Sequence, residues 1–328
     1  MNKLFDIKRT KMIDEAAFMH KPSTFGRMLW PFLLVVILTS MASGLIIGIA
    51  TTIYSMIVYT RTGAMDEMTA IMQNDGYRGV MSYLELNPIE APWWLGYIGL
   101  FSSAVVIFGA IFYCVKIEKR SIFSMGIRKK GVALELLWGF LIGAIFVGIV
   151  FCVFHFSGAI TFVRHQDARI IRPSIIFYFL GFLVQAFADE LLYRGYFLTS
   201  LARDIRPVFA ALLGALVFSL FNFYTIFSFL NSFLFAFLLN IYVLKRGSIW
   251  GSMALRFTWN FGYAVILGGA GLSAAMFVPK YNANFFTGFG DFESGLLFTI
   301  LLVCAIMIVL LLKTNKNERS CVEIEYFN

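Results

Sequence analysis

Asp189, Glu190 and Arg194 stand within residues 185–196, a stretch that is otherwise mostly apolar. An ionised side chain at bilayer depth costs about 2.5–3.5 kcal/mol on insertion scales, so such groups must face a cavity or a partner. Glu190 and Arg194 are four residues apart, acid before base, and share one helix face. Asp189 is turned roughly 100° away from them and is left to meet a different helix. Adjacent carboxylates in this setting either activate water or lock helices together, and spacing alone allows both.

Further polar groups interrupt later apolar runs: Asn222, Arg256 and Asn260. Their heights agree. The turn near Arg206 and Pro207 lies sixteen residues from both Glu190 and Asn222, so an antiparallel hairpin sets these two at one level, about 24 Å from the turn. Counted from Gly247, Asn260 climbs roughly 20 Å, with Arg256 one turn below it. Three helices therefore offer polar groups within a layer about two turns thick. Histidine chemistry is scarce: only His20, His155 and His165 exist, and none falls in this layer.

The elements that must hold this layer are membrane helices. Of the 328 residues 59% are hydrophobic, and the mean hydropathy is +0.79, which excludes an ordinary soluble domain. The expected fold is all-α and polytopic, with about eight spans: 28–59, 92–115, 132–156, 173–203, 207–223, 227–244, 249–267 and 295–312. Gly44 and Gly48 give the first span a GxxxG spacing suited to close packing. Residues 60–92 read as an acidic external loop with one short surface helix. The layout is a basic arm (1–28), two spans with that loop (29–115), a membrane core (116–312) and a tail (313–328).

The net charge of +8 does not call for nucleic acid. Most basic residues, including Lys116, Lys119, Arg120, Arg128, Lys129 and Lys130, fall in segments that share one side under eight spans. The positive-inside rule makes that side cytoplasmic, with both termini there, in a multi-pass cell-membrane protein. No cleavable signal peptide is expected from the polar first 27 residues. Cys114, Cys152, Cys304 and Cys321 show no CxxC spacing and suggest neither disulfide framework nor zinc knuckle.

The residues of the polar layer also carry a resemblance. Asp189-Glu190-Leu191-Leu192-Tyr193-Arg194 resembles the EExxxR signature of the CPBP family, the CAAX protease and bacteriocin-processing (Abi) intramembrane peptidases. Phe218-Ser219-Leu220-Phe221-Asn222 is similar to its FxxxH motif, and 247–260 to its GSLW-like entry followed by HxxxN. Arg120-Ser121-Ile122-Phe123 and Gly290-Asp291-Phe292-Glu293 are softer matches. The resemblance implies a membrane core over 116–312. It also implies that the residues at 189 and 222 activate water while those at 256 and 260 steady an oxyanion.

Here those positions read Asp189, Asn222, Arg256 and Asn260, with Glu190 and Arg194 kept. An amide at 222 cannot take a proton, and an arginine at 256 cannot act as a base. Asp189 retracts its carboxylate by one methylene, and about 1 Å of misplacement costs on the order of 10²-fold in rate. The expectation is a protease-like protein that has lost its chemistry, with no zinc and no cofactor. Its partners would be the lipid bilayer and a hydrophobic or lipidated peptide or another membrane protein, in bacteriocin immunity or peptide maturation. Arg256 is expected to pair with Asp189, with Asn222 and Asn260 supplying further hydrogen bonds. The alternatives are a working endopeptidase that uses Asp189 and Glu190 with Arg256 and Asn260, and a transporter or channel. The last ranks lowest, because no inverted repeat or broken-helix pair is visible.

Overall fold

The structure is a computed structural model that describes residues 7, 9–17, 25–87, 92–164, 172–221, 225–269, 275–282, 288 and 292–311. Asn222, His20, His165, Cys321, Gly290, Asp291 and the 313–328 tail lie outside the described residues. Helical rods occur at all the expected places. They are α1 (Lys11–Ala17), α2 (Phe25–Thr62), α3 (Ala64–Leu86), α4 (Trp93–Ser102) and α5 (Ala104–Phe112), then α6 (Val132–Phe156), α7 (Arg172–Asp189) and α8 (Thr199–Ala202). The set closes with α9 (Pro207–Leu220), α10 (Ile226–Arg246), α11 (Trp250–Phe261) and α12 (Leu296–Leu311). Among the described residues five rods are long and apolar enough to cross a membrane, and Pro207–Leu220 and Leu296–Leu311 are shorter apolar helices.

The local chemistry accounts for several ends. Pro207 opens α9, where its missing N–H leaves no bond unmade. Thr225 and Ser228 exchange bonds in a capping box that starts α10, and Gly247 ends it at φ 68°. Lys245 then donates to the carbonyls of Val309 (3.2 Å) and Leu310 (2.6 Å), tying down the last turn of α12.

In lipid, burying apolar surface gains little, so helices associate where small residues let backbones approach. The spacing that does this is Gly139 and Gly143 of α6. A methyl group at Gly139 would strike the Gly251 carbonyl and lie 2.7 Å from Ala254 Cβ; one at Gly143 would lie 2.7 Å from Thr258 Cβ. This contact seats α11, and therefore Arg256. Gly44 and Gly48, the pair singled out by spacing, instead face open space and line an outward groove. The expected packing through them is not made among the described residues, where α2 meets its neighbours through other faces.

Thr39 of α2 lies against Gly109, Ser43 Oγ donates to the Ser102 carbonyl at 3.1 Å, and Tyr54 meets Trp94 edge-on. Helix α2 thus runs eight residues, about 12 Å, past the level of Trp94. Beyond it α3 is longer than the expected short helix and folds back on itself at Gly76 (φ 65°, ψ −160°). The Tyr83 hydroxyl reaches Glu67 Oε2 at 2.7 Å, which sixteen residues of straight helix would forbid.

Near the N-terminus, α1 is docked rather than free: Met12, Ile13 and Ala16 are buried, and Met12 packs under Gly126. The sequence reading also missed a strand pair. β1 (Ile160–Arg164) runs antiparallel to β2 (Phe277–Tyr281), Ile160 facing Tyr281 and Arg164 facing Phe277. Both strands are short and follow helix ends, so their alternation was hidden inside segments that read as loops.

Candidate functional site

The polar layer forms where α7 passes into nine residues of π-helix, Glu190–Leu198, before α8. A Cβ on Gly195 would lie 2.8 Å from the Met125 carbonyl, so the backbone of the 122–125 turn presses directly on this helix. Single-turn π segments are uncommon and occur often at functional sites.

Glu190 and Arg194 meet as their spacing predicts, Oε1 to Nη1 at 3.0 Å, and both side chains are wholly buried. Arg194 Nε donates to Asn240 Oδ1 (3.1 Å) on α10, and Asn240 Nδ2 donates to the Ala211 carbonyl on α9 (2.9 Å). This inner pair is sealed among three helices.

Asp189 turns the other way and meets Arg256 of α11, Oδ2 to Nη2 at 3.4 Å, with side-chain exposures of 28% and 14%. The outer pair is looser and reaches open space. Between the two pairs lies Phe218, its ring 4.9 Å from the Arg194 guanidinium carbon and 5.1 Å from that of Arg256. Phe235 covers Arg256 at 5.5 Å. Aromatic faces attract cations most when water is excluded, so Phe218 is shared by both. Phe218 opens the second motif, yet only the position four residues on had been given a role. Asn240 and Phe235 carried no spacing signal, since partners on other helices cannot be counted from one strip of sequence.

Asn260 departs from expectation. Its amide donates to Gln185 Oε1 at 3.4 Å, one turn before Asp189 on α7, and makes no hydrogen bond to the Asp189–Arg256 pair. A turn of α11 lifts Asn260 past the guanidinium, level with Gln185 rather than Asp189. His155 sits at the far end of α6, its ring stacked on Phe151 at 5.6 Å, away from the layer.

A cavity of about 320 Å³ opens beside Arg256. Arg256, Gln185 and Asn260 form its polar floor, while Tyr178, Phe182, Trp259 and Phe298 supply apolar wall. Its far side is closed by the 292–294 turn: Trp259 Nε1 donates to Glu293 Oε1 (2.8 Å), and Asn231 Nδ2 holds the Glu293 (2.6 Å) and Gly295 (3.2 Å) carbonyls. The softer match at Glu293 is thus a wall of the cavity. The one at Arg120 is a clamp below it, since Arg120 donates to Ser124, Thr199 and Ser200 and faces Glu118 at 3.3 Å. Arg203, 3.5 Å from Glu118, closes that cluster.

A divalent metal ion does not fit this layer. Among the described residues no three His, Cys, Asp or Glu side chains gather to hold one, and each carboxylate already faces a guanidinium. The family model described as Rce1-like, type II CAAX prenyl endopeptidase, matches residues 171–262, a span that includes every motif position from 189 to 260. No curated protein and no solved structure matches the chain.

Proposed function

From the match of residues 171–262 to the Rce1-like CAAX protease family model, we propose a pseudoprotease, one that retains the intramembrane fold and cavity but not hydrolysis. It binds a hydrophobic or lipidated peptide, or a membrane partner, without cutting it. Bacteriocin immunity and peptide maturation are settings in which such binding would serve. The observation that carries the reading is the Arg256–Asp189 contact at 3.4 Å. The carboxylate that the family uses on water is here held by a cation standing where the family has a histidine. Arg256 cannot accept a proton, and its charge holds Asp189 as a salt-bridge partner.

The working-enzyme alternative puts Asp189 and Glu190 on water, whereas Glu190 has no exposed surface and Asp189 faces the Arg256 guanidinium. The test uses purified full-length protein in nanodiscs with prenylated and unmodified apolar peptides. We expect no cleavage by the parent, and cleavage by the triple variant Asp189→Glu, Asn222→His, Arg256→His. Cleavage by the parent that Arg256→Met removes would overturn the proposal, because Arg256 would then be an oxyanion donor.

A further inference from the structure

The end of the bundle that carries the Arg120 cluster sorts its charges by residue type. Residues 116–130 hold six basic side chains against one carboxylate, Glu118. The arginines pair inward: Arg120 and Arg203 share Glu118 at 3.3 and 3.5 Å, and Arg246 and Arg128 share Glu135 at 3.4 and 4.0 Å. The loop's lysines, Lys116, Lys119, Lys129 and Lys130, are exposed, and among the described residues none of them meets a carboxylate. The backbone enforces this sorting at Lys119. Its φ of 55° is the left-handed conformation that glycine usually supplies at a helix end, and no other non-glycine among the described residues has a positive φ. Across it the Arg120 N–H closes back on the Cys114 carbonyl at 3.0 Å. The turn leaves Lys119 outside, while the Arg120 side chain is only 3% exposed.

We propose that this loop binds the phosphate of anionic phospholipid headgroups, with Lys116, Lys119, Lys129 and Lys130 as the cations. Position favours a lipid over a soluble anion. The loop joins two spans, Trp94–Ile117 and Val132–Phe156, and each of these lysines lies within three residues of a span end. Ile117 and Phe123 stand exposed among them, and the Lys129 ammonium lies 5.8 Å over the Phe123 ring. Cations beside apolar anchors suit the boundary between headgroups and acyl chains. A cluster of four or more basic residues at the mouth of a span is the chemistry that recognises anionic lipid. An ammonium meets a phosphate as a point charge on a flexible stem, so the contact needs no fixed fork.

The charge balance admits such a ligand. The loop keeps a net charge of +5 (six basic minus one acidic), and Glu118 and Glu135 are each already engaged by two arginines. The general bias of basic residues toward one side accounts for which end carries them. It does not account for a lysine held where glycine is the easier choice, nor for arginines paired inward while lysines stand free. The surface lies away from the cavity, so the inference is independent of the pseudoprotease reading.

The experiment titrates purified full-length protein, in an uncharged detergent, with fluorescent phosphatidylglycerol and with fluorescent phosphatidylcholine of the same acyl chains. We expect phosphatidylglycerol to bind about tenfold or more tightly, the scale that a few lysines beside an anionic headgroup supply. The preference should weaken as salt rises. Lys116→Gln with Lys129→Gln should reduce it several-fold. Arg61→Gln with Lys280→Gln, which removes the same charge from exposed positions at the other end, should leave it in place. Lys119→Gly separates side chain from backbone: glycine suits the left-handed turn, so the melting temperature should hold or rise while the preference falls. Equal binding of the two lipids by the parent would overturn the proposal, and that comparison needs no variant to fold. So would a preference that the control pair reduces as much as the loop pair, or one that Lys119→Gly keeps in full. Displacement of the labelled lipid by inorganic phosphate as readily as by unlabelled phosphatidylglycerol would mark a free-anion site and overturn it too.

Discussion

Asp189 and Glu190 are neighbours in sequence but meet different fates, and the difference is geometric. Glu190 finds Arg194 on its own helix, whereas Asp189 depends on α11. Arg256→Met, which keeps length and removes charge, should therefore lower thermal stability in detergent. Breaking one partner of a buried pair costs roughly 3–5 kcal/mol, and the loss here should fall at or below the low end, because Asp189 is partly exposed and can take up a proton. Adding Asp189→Asn should restore part of the loss. Thermal melts of the two variants decide the matter, and an unchanged midpoint for Arg256→Met would show that the pair is not structural. Both pairings could be read from residue types, periodicity and depth. Asn260 could not, since whether an amide faces Asp189 or Gln185 depends on one turn of relative helix height. Nor could Phe218 be given its place between two guanidiniums, because a ring in an apolar run looks like any other.

Helix ends and lengths were largely visible in the sequence: α6 spans the same residues that hydropathy marks, and Pro207 and Gly247 punctuate as expected. Helix faces were not. GxxxG occurs at 44–48 and again at 139–143, and only the second presses on a neighbour. Nothing local separates the two; the difference lies in what stands opposite. Gly143→Leu should displace α11 and cost about 1–3 kcal/mol, the usual range for overpacking. Gly48→Leu should stay within about 0.5 kcal/mol. Denaturant-resistance profiles of the two in the same detergent give the comparison. Equal sensitivity at both sites would mean that the face of α2 is covered in the assembled protein. The π-helix also escaped the sequence reading, since no residue type within 190–198 marks it, and the Met125 carbonyl that presses on Gly195 comes from a turn seventy residues earlier.

For the molecule as a whole, the layered arrangement implies a direction across the membrane. The Arg120 cluster, α1 and the 122–125 turn share the end of the bundle that holds Lys129, whereas α3 and the paired strands belong to the other end. Basic residues at the first end predict that it faces the cytoplasm. In a cysteine-free background, Asp75→Cys should react with an impermeant maleimide in intact cells, and Lys129→Cys only after permeabilisation. The opposite pattern would invert the topology. The strand pair and the docking of α1 were hidden at this scale because both join segments far apart in the chain, where single-sequence patterning carries no information.

The two charge pairs also differ in when they come into being. Glu190 and Arg194 leave the ribosome within four residues of each other, while Arg256 follows Asp189 by 67. At about 5–20 residues per second that gap is roughly 3–13 s. The inner pair is neutral as soon as its turn forms, so α7 can leave the translocon with a single carboxylate still unmatched, at a cost of about 2.5–3.5 kcal/mol. That carboxylate is held only when α11 arrives. The chain's order of synthesis thus makes the local pair the condition for inserting α7, and the distant pair the last bond of its assembly.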